Sequence, residues 1–159
     1  MLKLVAMDEE DLQIISAHVQ DAVLKVGDLD YRPAEQRFIL ACNRFVRDTA
    51  SDGKPARSRG KEMYERRRSV LHFDRVTNVR ALNIDRTKRE DVLALLAINF
   101  EPADAPSGVI ELVFAAGKTL RLSVEVIEMR LADLGAAWET GNKPDHVAAD
   151  QITANQITE

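Results

Sequence analysis

The strongest constraint on this chain lies in residues 108–125, where apolar side chains recur at every second position on both arms of a hairpin. Ile110, Leu112 and Phe114 fall on one side, Leu120, Leu122 and Val124 answer them, and Glu111, Arg121, Ser123 and Glu125 fall on the other. Side chains of a strand alternate between faces, so a period of two predicts an antiparallel pair with one buried and one wet face. Gly117 supplies the turn between the arms. That apolar face needs a cover, and a chain of 159 residues has the length for one. A domain of this size buries roughly 70% of the surface its unfolded state exposes and needs neither metal nor disulfide to hold a core.

The remaining segments read against that hairpin. Asp8-Glu9-Glu10-Asp11 followed by Leu12, Ile15 and Val19 predicts a capped helix near residues 9–20. Val23 to Tyr31 and Arg37 to Phe45 read as strands joined by a turn that Pro33 presets. Ser69 to Ile84 has strand character bent near Thr77-Asn78, and the almost wholly apolar run from Val92 to Phe100 reads as a central strand. After Val124 the period changes: Ile127, Leu131, Leu134 and Trp138 stand at helical spacing, with Glu128, Arg130 and Asp133 opposite and Gly135 as a stop, which predicts a C-terminal amphipathic helix.

These elements predict an α+β domain over residues 1–140, with 47–68 as a mobile basic loop and 141–159 as a flexible polar tail. The expected architecture is a mostly antiparallel sheet or partly open barrel of about seven strands between a short N-terminal and a C-terminal helix. That order resembles a pleckstrin-homology-like barrel, in which a C-terminal helix closes one corner of two nearly orthogonal sheets. A sheet with helices on one face gives almost the same string.

Four stretches carry a second resemblance: DAVLKVGDL at 21–29, LHFDRV at 71–76, LLAINFEP at 95–102, and LRLSVEVIEMRLADLGAAW at 120–138. Through them, residues 1 to about 140 resemble the bacterial domain-of-unknown-function family 2948. The resemblance implies one whole-chain domain in a bacterial cytoplasm and a dispensable tail after Thr140. It implies no activity, cofactor or catalytic residue.

Composition narrows the classes of function. Cys42 is the single cysteine, which excludes an intramolecular disulfide framework and points to a reducing, cytoplasmic setting. No run approaches 18 apolar residues, so no transmembrane helix is expected. GxSxG, GxGxxG and GxxxxGK[ST] are all missing, which leaves nucleophile-elbow, dinucleotide and P-loop chemistry without their motifs. His18, His72 and His146 show no metal-ligand spacing. Asp28 with Asp30, and Glu101 with Asp104, are paired carboxylates that lack the further oxygens of a cation loop. No catalytic residue, metal or cofactor is therefore assigned. His72 and Asp74 share one strand face and are the only pair arranged as a base with its orienter, so an enzyme using that face is the alternative reading.

Charge supplies the strongest lead. The net charge is -4, yet residues 44–89 hold 14 basic and 6 acidic side chains between flanks that are both acidic. Within 54–68, Lys54, Arg57, Arg59, Lys61, Arg66, Arg67 and Arg68 face only Glu62 and Glu65, with Tyr64 placed to stack. Arginine's planar fork suits phosphate, so Arg57, Arg59, Lys61, Arg66, Arg67 and Arg68 form the candidate anion-binding set. Its expected partners are a nucleic acid or an acidic protein surface. A solvated charge run with no partner is the competing reading.

Overall fold

The structure is a computed structural model that describes residues 1–46 and 65–134. Its one α-helix among these residues, α1 (Glu9–His18), begins as the sequence predicts. Asp8 is extended and its carboxylate accepts the Asp11 N–H at 2.9 Å, while Glu9, Glu10 and Asp11 place negative charge at the positive end of the helix. Leu12 and Ile15 turn inward. The helix docks on a bulge: Ser16 Oγ accepts the Ile98 N–H at 2.9 Å, next to a register shift between Leu95 and Ala97.

Ten strands lie among the described residues: β1 (Lys3–Ala6), β2 (Val23–Lys25), β3 (Leu29–Arg32), β4 (Arg37–Val46), β5 (Glu65–Asp74), β6 (Val76–Leu82), β7 (Val92–Pro102), β8 (Gly108–Phe114), β9 (Lys118–Val124) and β10 (Met129–Asp133). They form one antiparallel sheet in the order β1-β10-β5-β4-β2-β7-β8-β9-β6, with β3 paired to β4 beside β2. β7 is central, as its apolar run predicts. The alternating hairpin is present as read: all six inward residues of β8 and β9 are buried, and Gly117 turns the chain at φ 69°. Gly108 is required for space, since a Cβ there would lie 2.5 Å from the Phe100 ring and the Glu101 carbonyl.

The sheet folds over itself. At Arg75 (φ 62°) the chain leaves β5 and enters β6 in the opposite half of the molecule. Inner faces from both halves then share one core, in which Leu40, Phe73 and Leu131 meet Ile98, Leu112 and Leu122. The sheet stays open, with β1 and β6 as its ends.

Three expectations need correction. Residues 129–133 form β10, inserted between β1 and β5 with Leu131 opposite Leu4 and Leu71, and no helix follows the last hairpin among the described residues. Met129, Leu131 and Asp133 face inward while Arg130 faces out. The helical spacing of Ile127, Leu131 and Leu134 coincided with a period of two that includes Met129, and a vacant position in the sheet decided between them. Leu131 is buried as expected, but in a strand. Without that helix, and with ten strands in place of about seven, the α+β, pleckstrin-homology-like class does not hold; among the described residues the fold is a mostly antiparallel open sheet with one α-helix. Finally, β5 begins at Glu65, so Arg66, Arg67 and Arg68 stand on a strand. Residues 47–64 and 135–159, which include Trp138 and the expected polar tail, lie outside the described residues.

Candidate functional site

The root of the β4–β5 hairpin gathers the charge that the sequence concentrates here. Along β4, Phe38, Leu40 and Cys42 face the core, and alternation carries Arg44 to the same face. Its guanidinium is buried against Asp133, Nε donating to Oδ1 at 2.9 Å and Nη2 to Oδ2 at 3.0 Å. Ser69 Oγ donates to Oδ1 at 2.6 Å, and the Leu2 N–H donates to Oδ2 at 3.1 Å. Burial alone would raise the Asp133 carboxyl, but these donors outweigh it and hold it down at about 2. Three strands and the chain start are thus tied at one point.

The candidate arginines divide by what they touch. Arg67 Nη1 lies 3.8 Å from Asp133 Oδ2. Arg68 points to the outer face, where Nη2 donates to Asp28 at 3.2 Å and Nη1 to Asn43 at 3.3 Å. Arg66 is exposed, with its guanidinium carbon 5.4 Å from the centre of the Phe45 ring. Arg57, Arg59 and Lys61 lie outside the described residues. Beside this root a cleft of about 340 Å³ opens between the end of α1, the chain start and β4, with Leu2, His18, Gln20, Arg44 and Phe45 in its wall. His18 Nδ1 lies 3.0 Å from the Ile14 carbonyl, the position of a donor one turn on in the helix.

The His72–Asp74 pair does not form a base with its orienter. Both side chains share the outer face of β5, but Arg37 donates to Asp74 Oδ1 at 2.8 Å and Arg130 stands 3.6 Å from Oδ2. Among the described residues no side-chain hydrogen bond reaches the His72 imidazole. Burial first, then Arg130 and Arg37, push the imidazole down to about 4, so at neutral pH it is uncharged. Cys42 is buried and its thiol is pushed up to about 12 by that burial, so it is a packed core side chain with no thiolate at neutral pH.

The paired carboxylates are likewise divided. Asp28 binds Arg68, and the fully buried Asp30 takes Arg32 on Oδ2 while Oδ1 has no partner. Glu101 is paired with Arg121 at 2.7 Å. No three His, Cys, Asp or Glu among the described residues are grouped to hold a metal ion. No helix among them is long and apolar enough to cross a membrane.

The residues that sequence reasoning missed are Arg44, Ser69 and Asp133. Arg44 carried a signal, being a cation at the next inward position after three core residues, and Asp133 was hidden by the helical reading of its segment. No curated protein and no solved structure matches the chain. A family model does match, over residues 2–146, which takes in every described element and runs past Thr140. The chain therefore belongs to the family described as Protein of unknown function (DUF2948).

Proposed function

We propose that this protein is a binding module whose β4–β5 hairpin presents cations to a polyanion, with nucleic acid as the partner class. The observation that supports this reading is the division of labour at the hairpin root. Arg44, Arg67 and Arg68 are engaged with Asp133 and Asp28, whereas Arg66 is exposed next to the segment carrying Lys54, Arg57, Arg59 and Lys61. A root held by a buried ion pair fixes the two strands that flank this cation-rich segment of the sequence, and a local excess of positive charge attracts a phosphate backbone within a Debye length.

The test is a salt titration of fluorescein-labelled single-stranded and duplex oligonucleotides by anisotropy. Counterion release makes log affinity fall with log salt by about 0.7 to 0.9 per phosphate neutralised. Replacing Arg57, Arg59 and Lys61 together by Ala should flatten that slope by about two to three units without moving the melting temperature. Arg68→Ala should instead lower the melting temperature, because Asp28 and Asn43 lose their donor. Absence of binding at low salt, or a triple variant with an unchanged slope, overturns the reading.

A further inference from the structure

We propose that the open seam of the folded sheet is a binding site for a small amphipathic anion, a carboxylate with an aliphatic body of about eight carbons. The site is separate from the hairpin root and independent of the function proposed above. It arises because, among the described residues, the sheet folds over itself without closing: β3 pairs only with β4, β6 pairs only with β9, and no ladder joins β3 to β6. Between them lies a cavity of about 300 Å³. Leu29 and Tyr31 of β3 form one wall and Val79 of β6 the other. Its floor is Phe38 and Leu120, both at most 3% exposed, so the cavity reaches the core itself.

The lining states the ligand's chemistry. An apolar floor and walls take an aliphatic body, and the tilted Tyr31 and Phe38 rings, 6.4 Å apart, add aromatic surface. Past the end of β6 the lining continues with Ile84 and then Arg86, so the single formal charge among the described lining residues is positive. A guanidinium carries five donors in a fork that matches a carboxylate, so an interaction within the protein leaves it capacity for a ligand. The volume sits at the lower end of small-molecule cavities, and at roughly 30 Å³ per heavy atom it holds on the order of ten of them. That excludes a nucleotide or a sterol and fits octanoate.

The experiment is an amide-resolved NMR titration of the full chain with octanoate, octanol and octylammonium. Octanoate should bind saturably, with shifts centred on Leu29, Tyr31, Val79 and Ile84, and octylammonium should bind at least about tenfold more weakly. Arg86→Gln should lower octanoate affinity to that of octanol and leave octanol unchanged. Ala81→Phe, at an exposed lining position, should abolish binding of both while the spectrum keeps its wild-type dispersion. Non-saturable octanoate binding, shifts centred elsewhere, an Arg86→Gln variant with wild-type octanoate affinity, or an Ala81→Phe variant that still binds would each overturn the assignment.

Discussion

A carboxylate and a guanidinium withdrawn from water cost several kcal/mol each unless every lone pair and donor finds a partner. Asp133 meets that condition with donors from Arg44, Ser69 and Leu2, and the consequence is readable in its acidity. Its pKa falls from an ordinary 3.8 to about 2 on folding, so the stability it contributes, about 2 kcal/mol, is present above pH 4 and lost as pH falls towards 2. His72 acts at higher pH. Half-buried between Arg37 on β4, Arg130 on β10, Arg32 on β3 and Asp74 on its own strand, it drops from 6.5 to about 4 on folding. The unfolded chain therefore binds the proton first, and stability declines as pH falls from 6.5 to 4. Asp30 has the opposite sign, because burial raises its pKa and acid favours the folded form. Urea unfolding at a series of pH values should show two falling windows, with His72→Gln flattening the upper and leaving the lower. Asp133→Ala should cost about 3 to 5 kcal/mol at neutral pH, since Arg44 is then buried without a counter-charge. A loss below 1 kcal/mol would mean that water reaches the guanidinium.

Elements were legible wherever one period ran without competition. The β8–β9 hairpin, α1 with its Asp8 cap, and β7 all stand where alternation, capping and a continuous apolar run placed them. β10 was not legible, because Ile127, Leu131 and Leu134 satisfy a helical spacing and every second residue from Ile127 to Leu131 satisfies a strand's. Propensity is a weak prior over so short a stretch, and pairing with β1 and β5 outweighs it. The two readings part at Met129, which is off the helical stripe but fully buried in the strand. Met129→Ala should thus cost about 2 to 5 kcal/mol and Arg130→Ala far less, measured by chemical denaturation. β1 was missed for a related reason: four residues with one buried side chain leave no period to read.

At the scale of the whole molecule, stability should follow position in the sheet. β4 and β5 pair along ten residues, and β7 lies between β2 and β8, whereas β6 forms an end of the sheet with most of its side chains exposed. Hydrogen exchange should accordingly find the slowest amides in β4, β5 and β7 and the fastest strand amides in β6, the strand that borders the cavity; equal protection throughout would contradict this ordering. The bulge at Val76/Asn78 and the outward Arg80 suit an end strand that must not pair with a neighbouring chain. The sequence by itself determined the antiparallel character, the inward faces of β8 and β9, the helix start and the segregation of positive charge, because alternation, capping and local charge depend on residues close together in the chain. Only the tertiary structure decided which strand fills the gap between β1 and β5, that Arg67 and Arg68 brace the hairpin root, and that the seam beside β3 stays open. Those outcomes depend on groups brought together from far apart: Arg44 with Asp133, His72 with Arg130, and Tyr31 with Val79. No local window contains both members of such a pair, so their burial and ionisation are set by the fold as a whole.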